Sequence, residues 1–309
     1  MTEKYDIIII GGGPAGLSAA IYAGRAKMKT LVIEHAAVGG QITTTSEIAN
    51  YPGSLAEESG VSLTERMEEQ AKKFGAEFAY EDVVSVDLSG KEKKVSCENS
   101  SFTSKALIIA SGASPKHLGV PGEEEFTGMG VSYCASCDGA FFEGLPIYVA
   151  GGGDSAVEEA MFLTRFSDRV TLVHRRDSLR AAKSIQEKAF AANGLSVRLN
   201  TKIAEIGGND AVQRIILEDT ITGERETIES GKDPMMGVFI FVGLTPNSEL
   251  YPAEIKNENG YIITDEEMRT SISGVFAAGD IRVKSLRQVV TAAADGAIAA
   301  VSAAKYCEE

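Results

Sequence analysis

One pattern restricts this chain more than any other, and it occurs twice: an apolar run, a glycine-rich turn, a small-residue helix, and a second apolar run ending in a polar side chain. The first copy opens as "YDIIIIGGGPAG" and the second as "LPIYVAGGGDSA". Ile7 to Ile10 are continuously apolar, as a parallel strand buried on both faces requires. The run ends in Gly11, Gly13 and Gly16, a G-x-G-x-x-G turn that also contains Pro14 and Ala15, and "LSAAIYAGRA" continues as a helix. Such glycines permit a tight turn, close backbone approach to a pyrophosphate and close packing of helix on strand. The helix N-terminus presents unpaired N–H groups to the anion.

The next strand, "KTLVIE", ends at Glu34, 23 residues after Gly11, where a carboxylate can accept hydrogen bonds from ribose hydroxyls. The second copy has Gly151, Gly153 and Ala156 in a G-x-G-x-x-A turn that includes Asp154 and Ser155. Its helix is "VEEAMFLTRF", and its next strand, "RVTLVHRR", reaches His174, again 23 residues after the first glycine. Arg175 and Arg176 follow, with Arg180 one turn further on. A carboxylate at that point would repel a 2′-phosphate, whereas paired guanidiniums bind one through charge-assisted hydrogen bonds. The competing reading of "HRRDSLR" is a solvated basic surface. The first loop is thus expected to hold a dinucleotide with a free ribose, and the second NADP(H). Nicotinamide is the natural hydride source and FAD the natural acceptor, since a flavin can pass from two-electron to thiol chemistry. The expected fold is α/β, with two Rossmann-like, three-layer ββα dinucleotide-binding domains.

At 309 residues the chain is long enough for two domains. Its formal charge of −14 disfavours nucleic acid and anionic membrane as partners. No stretch approaches the ~20 apolar residues that span a bilayer. The N-terminal apolar run follows Glu3 and Asp6 and lacks the basic region of a secretory signal. With only four cysteines, the expected compartment is the reducing cytoplasm.

After Glu34, "VGGQITTTSEIANYPG" suits a loop threading along a cofactor, and "VSLTERMEEQAKKFG" reads as an amphipathic helix. Its predicted apolar face is Val61, Met67, Ala71 and Phe74, with Ser62 and Glu65 as a capping box. "KALIIASGASP" closes the first unit and "HLGVPGEEEF" reads as a linker. In "SGVFAAGDI" a short strand terminates at Asp280, which is read as an acceptor for a cofactor's sugar-alcohol chain or as a helix cap. The final helix is expected to start near Arg287–Val289, pointed at a flavin whose reduced ring it would stabilise. The expected domains are residues 1–117 and 245–309 for FAD, with 118–244 inserted between them for NADPH.

The inserted segment contains "YCASCDGAFF". A zinc reading of Cys134 and Cys137 lacks two further ligands at suitable spacing, so no metal is expected. A structural disulfide does not fit a reducing compartment, and a C-x-x-C redox pair is favoured, one thiolate attacking and the other resolving. Asp138 is the candidate proton carrier, with a turn role before Gly139 as the competing reading. Cys97 and Cys307 read as ordinary thiols.

The motifs "GGGPAG", "GGQITTT", "CASCDG", "GGGDSAVEEA", "HRRDSLRA", "FAAGDI" and "RQVVTAAADGAIAA" make the chain similar, over nearly its whole length, to the low-molecular-weight thioredoxin reductases of bacterial type. The resemblance implies FAD held by Gly11 to Gly16, Glu34, His35, Gly40, Gln41, Asn50, Val83, Ala110, Ser111, Gly112, Gly279, Asp280, Arg287, Gln288 and Val289. It implies NADPH held by Gly153 to Ala156, His174, Arg175, Arg176 and Arg180. It also implies that Cys137 faces the flavin while Cys134 attacks the disulfide of thioredoxin, and that the enzyme is a homodimer.

Both the dithiol and the nicotinamide site belong to the inserted unit, which is therefore expected to rotate on its two linkers between half-reactions. Related alternatives are a ferredoxin donor, for which the Arg175–Arg176 pair has no use, and a peroxiredoxin-type acceptor. The flavoprotein of the alkyl hydroperoxide system carries an extra N-terminal module, for which this chain leaves no room. A flavin-binding redox sensor without turnover is the reading from a different class.

Overall fold

The computed structural model describes residues 3–44, 48, 50–56 and 58–309. Part of the segment read as a cofactor-threading loop, residues 45–47 and 49, lies outside the described residues. The chain divides into two units, Met1–Ser114 with Thr245–Glu309, and Pro115–Leu244.

The outer unit begins with β1 (Glu3–Ile10), α1 (Pro14–Arg25), β2 (Thr30–Glu34), α2 (Gly60–Lys73) and β3 (Glu77–Tyr80). β4 (Val83–Asp87), β5 (Lys93–Cys97) and β6 (Ser101–Ile109) follow, and β7 (Ala113–Pro115) leads out. The inserted unit contains β8 (Val131–Ser132), α3 (Ala135–Asp138), β9 (Ile147–Gly151), α4 (Asp154–Leu163), β10 (Val170–Val173) and α5 (Lys183–Ala191). It continues through β11 (Leu195–Arg198), β12 (Thr201–Gly208), β13 (Val212–Asp219), β14 (Arg225–Glu229) and β15 (Gly237–Phe241). β16 (Leu244–Pro246) pairs with β7, and the outer unit finishes with β17 (Val275–Ala277) and α6 (Val289–Glu308).

The long strand β6 explains the outer architecture. Its first half pairs antiparallel with β5, while Leu107 to Ile109 pair parallel with β17. The sheet therefore splits into a parallel part, β3-β2-β1-β6-β17, and an antiparallel meander, β6-β5-β4. Side chains alternate across a strand, and β1 uses both faces. Ile7 and Ile9 pack with the alanines of α1 and α6, while Ile8 and Ile10 pack with Leu88, Val95 and Phe102 from the meander side. That two-sided burial is why the run is unbroken. Truncating one such isoleucine to alanine would cost about 2–5 kcal/mol.

The inserted unit repeats the plan, with a parallel sheet β11-β10-β9-β15-β8 and a meander β12-β13-β14. Val149, Leu172 and Phe239 face α4, and Ala150, Val173 and Val238 face Ile203, Ile215 and Leu217 of the meander.

The α2 helix departs from its sequence reading. It starts one turn earlier, with Ser59 as its N-cap, and Ser62 serves as the capping partner three residues into the helix. Val61 is exposed, and the buried stripe is Gly60, Leu63, Thr64, Met67 and Ala71. Gly60 fixes this register, because a Cβ there would sit 1.6 Å from the Ile42 carbonyl oxygen.

Candidate active site

The first glycine loop sits at the carboxyl ends of β1, β2, β6 and β17, where open α/β sheets bind ligands. Gly11 has φ +109°, and a Cβ there would lie 2.3 Å from the Ala110 carbonyl oxygen, so the loop and the Ala110–Gly112 turn touch through backbone. The N–H of Gly39 donates to the Gly12 carbonyl and brings Gly40 and Gln41 onto the loop. Glu34 Oε2 accepts the Gly12 N–H at 2.6 Å, and its other oxygen accepts the N–H of His35. His35 Nδ1 meets Asp82 Oδ1 at 2.6 Å, whereas Val83 is half-buried against the core. Asn50 Nδ2 donates to Gln288 Oε1 across 238 positions of sequence, at the start of α6.

Two buried polar atoms here have no partner among the described residues, Asp280 Oδ1 and Arg287 Nε. Burial pushes the Asp280 carboxyl up, while Lys284 and Arg287 act to lower it. Nothing lies within 4 Å of where a Gly112 Cβ would stand. An unpaired acceptor, an unpaired donor and an open glycine cradle fit a polar dinucleotide chain.

The second loop, Gly151–Ala156 between β9 and α4, borders a cavity of about 280 Å³ that lies within the inserted unit. Arg175, Arg180, Lys116 and Lys202 line it; Arg176 is exposed outside that lining. The loop is braced by the segment after β10, since the N–H groups of Arg180 and Ala181 donate to the Gly152 carbonyl. Asp154 Oδ1 accepts the Ala182 N–H at 2.7 Å. His174 is buried beneath the loop, with Nδ1 at 2.9 Å from the Gly151 carbonyl oxygen. Burial lowers its pKa, and Arg180 and Arg176 lower it further. Basic side chains around a glycine turn with open space at Gly153 fit a phosphorylated dinucleotide.

Cys134 and Cys137 are joined by a disulfide with Cα atoms 5.3 Å apart. Asp138 ends the short α3 helix, and burial pushes its carboxyl above the usual carboxylate range. The Ser132 hydroxyl, at 2.6 Å from Asp138 Oδ2, pulls it partway back. The other two cysteines are free thiols pushed up to about 11, chiefly by burial, which disfavours thiolate chemistry. Among the described residues no group of His, Cys, Asp and Glu could hold a metal ion. None of their helices is long and apolar enough to cross a membrane.

Sequence reading missed several residues. Glu123, 2% exposed, accepts the N–H groups of Leu118 and Gly119 and the hydroxyl of Tyr133, the residue before Cys134. Burial opposes ionisation of Glu123, but these bonds outweigh it and hold the carboxyl low. The backbone N–H of Asn200 and the Thr220 hydroxyl bond the Arg176 and Arg175 carbonyls. No spacing rule points to any of them.

The family of pyridine nucleotide-disulphide oxidoreductases matches residues 5–296. A thioredoxin reductase of Peptoclostridium acidaminophilum is 55% identical over 310 residues, covering 100% of this chain and 98% of its own. One of Bacillus subtilis (strain 168) is 50% identical over 314 residues, with coverage of 100% and 97%. The crystal structure of thioredoxin reductase from Streptococcus pyogenes MGAS5005 superposes with a TM-score of 0.92 at 46% identity, covering 100% of this chain and 99% of that one. With two glycine loops, a Cys-x-x-Cys disulfide and full-length relatives of this kind, the chain belongs to the pyridine nucleotide-disulphide oxidoreductases.

Proposed function

We propose that this chain is a thioredoxin reductase: NADPH is its electron source, FAD its bound relay, and the disulfide of a thioredoxin its substrate. The observation that carries the reading is the Cys134–Cys137 disulfide, lying in the same unit as the basic nucleotide cavity and followed by a half-buried carboxyl with raised proton affinity. Bound NADPH and FAD supply hydride donation and two-electron relay.

The chain's own residues do the rest. Gly11 to Gly16, Glu34, Asp280 and the start of α6 are assigned to FAD in the outer unit, and Gly153 to Ala156, His174 and the arginines to NADPH in the inserted one. Opening the S–S bond consumes two electrons and leaves two sulfur anions; Asp138 gives its proton to one, leaving a thiol, a thiolate and a carboxylate. Cys134 Sγ, as the thiolate, then attacks one sulfur of the partner's disulfide, whose other sulfur leaves as a thiolate. Cys137 returns its proton to Asp138 and attacks Cys134 Sγ, re-forming the internal bond and expelling the partner's bound sulfur as a second thiolate.

Anaerobic titration tests this directly. NADPH is expected to bleach the flavin absorbance, and oxidised thioredoxin to restore it. A flavin that NADPH leaves oxidised, or protein sulfurs that stay bonded while it is bleached, would sink the reading.

Disulfide and nucleotide cavity share the inserted unit, which supports its turning on the two crossings between half-reactions; Gly112 and Gly243, at φ +69° and +126°, flank them. A cross-link pinning the crossings should stop multiple turnover. A homodimer is supported by the exposed stripe Val290, Ala294, Ile298 and Val301 along one face of α6, and sedimentation would test it. The cytoplasm fits the two free thiols.

A further inference from the structure

We propose that Ser132 is a positioning residue of the dithiol centre, its hydroxyl joining the Asp138 carboxyl to the Cys134 backbone so that proton loss and proton return each find a hydrogen-bond partner. This rests on the reading of Asp138 as the proton carrier.

Ser132 ends β8 and is 4% exposed, so its hydroxyl must be satisfied by protein atoms. Its Oγ is 2.6 Å from Asp138 Oδ2, accepts the Cys134 N–H at 3.1 Å, and lies 3.3 Å from the Cys134 carbonyl oxygen. One hydroxyl has one hydrogen and two lone pairs. With Asp138 ionised, the hydroxyl hydrogen points to Oδ2. With Asp138 protonated, the carboxyl O–H donates to Oγ and the hydroxyl hydrogen turns to the Cys134 carbonyl. Neither state leaves an unpaired buried group, whose desolvation would otherwise oppose proton transfer.

The surroundings leave this bond in control. β8 offers no titratable side chain, Tyr133 is tied to Glu123, α3 carries besides Asp138 only the bonded Cys137 with Cys134 as its N-cap, and the residues after Asp138 carry none until Glu143. α4, packed against α3, carries Asp154, which accepts the Ala182 N–H, and Glu158 and Glu159. Burial raises the proton affinity of Asp138 and the Ser132 hydroxyl lowers it. Removing the hydroxyl therefore raises that affinity further.

The test compares S132A, S132T, D138N and S132A/D138N holoenzymes. Infrared difference titration reads Asp138 itself, through the protonated-carboxyl band absent from D138N. In S132A this titration and the pH profile of thioredoxin reduction should both move up by about one pH unit, the shift that one hydrogen bond to a charged group supports. S132T should restore both, and S132A should add nothing to the D138N defect. An unmoved Asp138 titration in S132A, or additive losses in the double variant, would overturn the proposal while leaving Asp138 its role. If D138N itself turned over normally, the reading of Asp138 would fail instead.

Discussion

Gly11 and Gly151 each stand 23 residues before the side chain that ends the next strand, Glu34 in the outer unit and His174 in the inserted one. In the outer unit that side chain accepts: Glu34 Oε2 takes the Gly12 N–H. In the inserted unit it donates, because a carbonyl faces Nδ1, and burial lowers the proton affinity of the ring. Identical backbone register thus carries opposite polarity. The β-α-β frame places both loops alike, and on the proposed assignment the sugar is chosen by what ends the second strand together with the arginines that follow it. A carboxylate favours free hydroxyls; where a phosphate has to be accepted, the carboxylate is gone and guanidiniums stand next in the chain.

The hardest test of this division of labour is to break one loop at a time. Valine at Gly11 would need φ +109° and would press on the Ala110 carbonyl; valine at Gly152 would put a Cβ 2.2 Å from His174 Nδ1. G11V is expected to purify without flavin, and G152V to keep its flavin but lose NADPH binding by isothermal titration. Flavin loss from G152V would mean the loops are not independent. Next in size, R175A/R176A should weaken NADPH binding on the order of 100-fold, two charge-assisted bonds' worth, and leave NADH nearly unchanged. Equal losses for both nucleotides would show that the arginines do not read the 2′-phosphate.

How far the comparison was readable beforehand follows from the range of each interaction. β1-α1-β2 and β9-α4-β10 were legible because turn, helix and register lie within 35 residues and have strict steric needs. The closely spaced cysteines were legible for the same reason. The Asn50–Gln288 bond, which links residues 238 apart, was not, and neither was the placement of Asn200 and Thr220 beneath the arginines. The true cap of α2 was missed because Ser62–Glu65 offers a plausible local match; only the contact of Gly60 with Ile42 picks Ser59. Glu123 looked like one acid among three in a linker until folding gathered backbone N–H groups around it.

A smaller, sharper test exchanges the polarity itself. H174E puts the outer unit's carboxylate into the inserted unit, beside Arg175 and Arg176. Repulsion of the 2′-phosphate should narrow the preference for NADPH over NADH by roughly 10-fold, about one hydrogen bond to a charged group. An unchanged ratio of dissociation constants would place the sugar choice wholly in the arginines.

The smallest effect concerns the support beneath the clamp. The Thr220 hydroxyl donates to the Arg175 carbonyl at 3.0 Å, and the Asn200 N–H donates to that of Arg176, so two strand ends hold the backbone from which the guanidiniums project. The outer loop needs no such brace, since its Glu34 carboxylate binds the loop directly. T220V removes one exposed neutral hydrogen bond, worth about 0.5–1.5 kcal/mol, and leaves the backbone bond of Asn200 in place. NADPH affinity should fall about two- to tenfold, with flavin content and NADH affinity unaltered. A matching fall in NADH affinity would mean that Thr220 supports the fold of the loop and not the aim of Arg175.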